Sequence, residues 1–124
     1  LRRLGRASEI SSEMPVETMV PAVGQGALAV QCRESDDKVL RILPSIHCAE
    51  TALCVNAERA FLRAFGGGCS VPAACHAFIR GQQVMIYAVW EDGSGRLRRA
   101  ERSVTPASAS AAAAEMAADL LEID

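Results

Sequence analysis

Between residues 71 and 104 the chain alternates apolar and polar residues in three strand-length runs, separated by two short turn signals. This pattern restricts the fold more than any other feature. Val71 to Arg80 places Cys75, Ala77 and Ile79 on one face and His76, Phe78 and Arg80 on the other, because successive strand side chains point to opposite sides. Gly81-Gln82-Gln83 turns the chain. Val84 to Trp90 is the most hydrophobic run and is predicted as the central strand. Asp92-Gly93-Ser94-Gly95 is hairpin chemistry. Arg96 to Val104 carries Arg96, Arg98, Arg99 and Arg102 and reads as a solvated edge strand. Connections this short join antiparallel neighbours, so the expected sheet is a three-stranded meander.

Helices flank it. From Ala49 to Phe65, Leu53, Ala57, Ala60, Phe61 and Ala64 form one stripe at helical spacing. Glu50 suits the positive end of the helix dipole, and Gly66 supplies the stop. Thr105-Pro106 opens a last helix, whose Ala111 to Leu121 run has high helix propensity. Met116, Leu120 and Ile123 face the sheet in this reading. The expected fold class for residues 47–124 is therefore α+β, a three-stranded antiparallel sheet covered by helices.

Residues 1–46 read differently. Leu1-Arg2-Arg3-Leu4-Gly5 resembles a helix end stopped by Gly5, as in a piece of a longer protein. Residues 6 to 20 are a polar connector, and Gly24-Gln25-Gly26 is a turn or loop. Ala27 to Cys32 is a short apolar run, as in a strand buried on both faces; it is expected to complete a sheet whose other strands lie upstream. Ser35-Asp36-Asp37 caps a short helix over 36–43, closed by Pro44.

The 124 residues carry a formal charge of −2, so nothing points to nucleic acid or a membrane as partner. No apolar run approaches the ~20 residues of a membrane span. The cysteine count is five, odd and irregularly spaced, with no C-x-x-C. That argues against a disulfide framework and for a reducing cytoplasm. Cys69, Cys75 and His76 are too few for a structural zinc site, and no metal is expected.

Gly66-Gly67-Gly68-Cys69-Ser70 lies between the long helix and the first strand. Glycines clear side chains from the backbone ahead of a single thiol. Such a cysteine can carry a bulky group, or it can be a buried structural thiol beside a turn. Cys48 and Cys54 read as packing cysteines, and His47 and His76 as ordinary surface or partly buried residues.

Three blocks carry a resemblance. Pro21-Ala22-Val23-Gly24-Gln25-Gly26-Ala27-Leu28, with Cys32-Arg33, resembles the V-G-Q-G-A block of the porphobilinogen deaminase (hydroxymethylbilane synthase) family. Ala57-Glu58-Arg59-Ala60-Phe61-Leu62 resembles its A-E-R-A-F/M segment. Gly67-Gly68-Cys69-Ser70-Val71-Pro72 resembles its G-G-C-x-V-P loop. Order and spacing agree over almost the whole chain, although Gly66 stands where the family often has an acidic residue.

The resemblance implies a three-domain enzyme that joins four porphobilinogen molecules into hydroxymethylbilane, with release of ammonia. Its product grows on a dipyrromethane cofactor held by a thioether, and the matching thiol is Cys69, with Gly67, Gly68 and Ser70 around it. Residues 47–124 would be the cofactor-anchoring domain. Residues 1–46 would be a remnant of the α/β, periplasmic-binding-protein-like catalytic lobes. Gln25, Gly26, Arg33 and Arg59 are candidates for the cleft or a domain interface, and Glu58 for a pair across such an interface. The family's catalytic aspartate and its arginine clusters belong to the missing N-terminal domains, so Asp36, Asp37 and Asp92 receive no catalytic role, and the isolated chain is expected to be inactive. Two other readings remain open: a non-catalytic binding or interaction module that kept the fold, and a thiol-redox protein using Cys69 and Cys75.

Overall fold

Three antiparallel strands form in sequence order in the structure, a computed structural model describing residues 1–66 and 72–122: β1 (Ala73–Arg80), β2 (Gln83–Glu91) and β3 (Leu97–Val104). β2 is central, as its hydrophobicity predicts. The register pairs Cys75 with Ala88 and Ala77 with Ile86 across β1 and β2, and Ala88 with Ala100 and Val84 with Val104 across β2 and β3. One sheet face therefore presents Cys75, Ala77, Val84, Ile86, Ala88 and Trp90, and these form the core with the helices. Gly81 makes the first turn at φ 63°, a left-handed conformation that costs a residue with Cβ more than it costs glycine.

Three helices are described: α1 (Asp37–Ile42), α2 (Ala49–Ala64) and α3 (Ala109–Leu121). α1 starts where the capping chemistry predicts, with the Asp36 carboxylate accepting from the Val39 N–H at 3.2 Å. Pro44 does not end the chain's helical course there. It enters a 3₁₀ turn over Leu43–Ile46, tolerated because a first-turn proline lacks only an N–H that has no helical partner. In α2, Ala57, Ala60 and Phe61 are buried as the stripe requires, whereas Ala64 at the last turn is exposed. α3 follows a 3₁₀ turn at Pro106–Ser108 and buries Ala109, Ala112, Ala113, Met116, Ala117 and Leu120. Its alanines let it lie close to α2. Ile123 lies outside the described residues.

Two expectations are corrected. Ala27 to Cys32 forms no strand, and Leu28 and Val30 are 87% and 60% exposed. A doubly buried strand needs neighbours on both edges and cover on both faces, and the sheet of this chain offers it neither. The arginines of β3 are not simply solvated. Arg98 Nε donates to Asp92 Oδ2 at 3.1 Å. Arg99 donates to the Glu17 and Thr18 carbonyls at 3.1 and 3.0 Å, tying the connector to the sheet. Arg102 reaches Glu115 and Asp119 on α3. The edge strand thus uses its long cations as struts to the elements beside it.

Candidate functional site

The segment from Gly67 to Val71 lies outside the described residues, and with it the predicted Cys69, Gly67, Gly68 and Ser70. Its two shoulders are described. On the α2 side, Phe65 packs between Phe61 and Trp90, with ring centroids 4.9 and 5.6 Å apart. Gly66 then turns the chain at φ 91°, exposed, with open space where a Cβ would stand. On the β1 side, the exposed Pro72 accepts from the Glu91 N–H at 2.9 Å. Both shoulders are held at the same end of β2, at Trp90 and Glu91, and both open to solvent.

The other cysteines differ sharply. Cys75 is fully buried on the helix-facing side of β1, where burial, and then the Glu58 charge, push its thiol well above the ordinary value. It cannot exchange with a partner thiol without opening the core, which weakens the redox reading. Cys54 is half-buried and also raised, mainly by burial. Cys48 departs from the packing expectation. It is exposed at the N-cap of α2, and the Thr51 hydroxyl donates to its Sγ at 3.2 Å, which lowers its pKa.

Gln25 and Gly26 sit in a local turn that is docked on the module. Gln25 Oε1 accepts from the Ala22 N–H at 3.1 Å, and Val23 packs against the core. The two residues border an open groove with Cys54, Glu58, His76 and Phe78. Arg59 is exposed on α2 and borders a neighbouring groove with Leu28, Val30, Ile46 and His47. Arg33 is not brought to either; it is exposed beside Asp36, 3.6 Å away. Among the described residues, no three His, Cys, Asp or Glu side chains converge as metal ligands do, and no helix is long and apolar enough to cross a membrane.

Glu58 holds a buried polar cluster between α2, β1 and the Gly24 turn. It is 4% exposed, yet its Oε2 accepts from the Gly24 N–H at 2.6 Å and its Oε1 from the Ala77 N–H at 2.9 Å. His76 Nδ1 lies 3.2 Å from the same Oε1. The available signal was an acidic residue set inside an apolar helical stripe, between Ala57 and Ala60. Asp92 is a second buried carboxylate. It accepts from the Ser94 N–H and hydroxyl and from the Arg96 N–H, as well as from Arg98.

Residues 52–122 match the family model of the porphobilinogen deaminase C-terminal domain, and residues 1–41 match that of the porphobilinogen deaminase dipyromethane cofactor binding domain. The chain belongs to the porphobilinogen deaminase family. A porphobilinogen deaminase of Syntrophotalea carbinolica is 42% identical over 122 residues, covering 98% of this chain and 39% of the relative. Those of Oceanobacillus iheyensis and Sorangium cellulosum are 40% and 39% identical, covering 94% and 97% of this chain. The chain thus spans about two-fifths of the length of these relatives. Within the family match, the cofactor-binding description attaches to residues 1–41, whereas the G-G-C loop lies in the C-terminal match.

Proposed function

We propose that this chain supplies the cofactor-anchoring part of a hydroxymethylbilane synthase, with Cys69 as the point of attachment. The whole enzyme joins four porphobilinogen molecules head to tail and releases ammonia at each step. The observation that carries this reading is the sequence Gly67-Gly68-Cys69-Ser70-Val71-Pro72, whose flanking residues Phe65 and Pro72 are fixed on β2 and whose neighbours Gly66 and Pro72 are exposed. Its support is membership of a family one of whose matched units is described as dipyromethane cofactor binding.

The donor set fits the group. A thiol forms a thioether with an electron-poor methylene carbon, and that bond is stable enough to survive repeated turnover. The bound dipyrromethane would supply the pyrrole carbon onto which the product is built. The chain's own contribution is mechanical. Phe61, Phe65 and Trp90 stiffen the helix end before the loop, and the Glu91–Pro72 bond fixes its return. Proton transfer and carboxylate binding fall to residues outside this chain, whose N-terminal domains are its partners. The setting is the cytoplasm.

In the full-length parent, Cys69→Ala is expected to abolish both the covalent pyrrole and hydroxymethylbilane formation. Product formation at the unsubstituted rate would refute the assignment.

A further inference from the structure

We propose that Glu58 is a positioning residue that clasps the Pro21–Ala27 turn to the strand leading from the Cys69 loop, and so sets the placement of that turn for turnover. The inference rests on the function proposed above and adds a role for a residue that neither touches the anchor nor needs to. Three observations carry it. Glu58 is 4% exposed, and a carboxylate this buried is costly unless hydrogen bonds compensate it. It is compensated from two directions: the Gly24 N–H at 2.6 Å comes from the turn, and the Ala77 N–H at 2.9 Å comes from β1. Among the described residues the Gly24 N–H makes no other bond, and the Ala77 N–H lies on the free edge of the sheet.

The clasp therefore does two things at once. It occupies one N–H on the open edge of β1, and it holds the turn of Gln25 and Gly26 against that strand. His76 Nδ1, 3.2 Å from Oε1, completes the carboxylate's surroundings. Charged acceptors form the stronger hydrogen bonds. Misplacement of about 1 Å far from the chemistry can cost about a hundredfold in rate.

Glu58→Gln separates this role from simple packing. The amide has the same shape, but one of its two ends becomes a donor and so faces an N–H that it cannot accept from. In the full-length parent, Glu58→Gln is expected to keep the pyrrole adduct on Cys69, lower kcat by about tenfold or more, leave KM within about threefold, and speed amide exchange at Gly24 and Ala77 but not in β2. Glu58→Asp is expected to recover part of kcat. Unchanged kcat, or a loss confined to KM, would overturn the positioning role. If the variant fails to fold, amide exchange in the unsubstituted parent decides: protected Gly24 and Ala77 amides support the clasp, and exchange at free-amide rates overturns it. A parent that carries no adduct on Cys69 while both amides are protected would refute the proposed function and keep the clasp as a structural contact, overturning its role in turnover.

Discussion

Asp92 shows how much one side chain can organise. Its carboxylate collects three donors from Ser94 and Arg96 and a fourth from Arg98, turning a hairpin signal into a closed clasp. Those bonds, the Ser94 hydroxyl first, hold its pKa well below the ordinary 3.8. A lowered native pKa means that the ionised form favours the folded state. The stabilisation is fully present above about pH 4 and declines as the pH falls below it toward the lowered native value. Asp92→Asn should therefore destabilise the module at pH 7, with the gap to the unsubstituted protein narrowing below pH 4. Urea unfolding at both pH values checks this, and a gap that widens in acid would contradict it.

The thiols make a second test at the same scale. The Thr51 hydroxyl lowers the pKa of the exposed Cys48, while burial raises that of Cys75. Since the thiolate is the reacting form, Cys48 should alkylate faster than Cys54, and Cys75 only on unfolding. Timed alkylation with peptide mapping reads the order.

At the scale of elements, α2 is the pillar of the module. Phe61 is fully buried between the helices and the sheet, so Phe61→Ala should cost about 3–5 kcal/mol in a denaturant titration. Arg102 makes two ion pairs to α3, but its partners Glu115 and Asp119 are mostly exposed, and such pairs typically contribute less than about 1 kcal/mol. Arg102→Ala should fall in that range.

The elements were legible where local chemistry decides them. The alternation of β1, the hairpin at Asp92, the Asp36 cap and the stripe of α2 all carry their own instructions, and each formed near its predicted bounds. Ala27 to Cys32 failed because its instruction, apolar on both sides, requires a sheet that this chain does not provide. The arginines of β3 look solvated in the sequence for the opposite reason, and the backbone donors that meet Glu58 leave no local signal. A charged residue looks the same in sequence whether water or a backbone N–H receives it, and only the packing of α2 against β1, or of the connector against β3, decides. Cys48 was taken for packing because nothing local shows that its helix starts at the surface.

For the whole molecule, the bonds of Glu58 to the Gly24 and Ala77 N–H groups tie the segment matched over 1–41 to the one matched over 52–122. In the proposed function, attachment belongs to this chain and the chemistry of condensation to the rest of the enzyme. The isolated 124-residue chain should accordingly form no hydroxymethylbilane from porphobilinogen, and a product assay checks it. The most direct test of the central claim is the mass of the Cys69 peptide from the full-length parent, purified from cells that make porphobilinogen. The proposed function requires a two-pyrrole adduct on that peptide and on no other cysteine. An unmodified Cys69 would contradict it and leave the fold serving as a binding module.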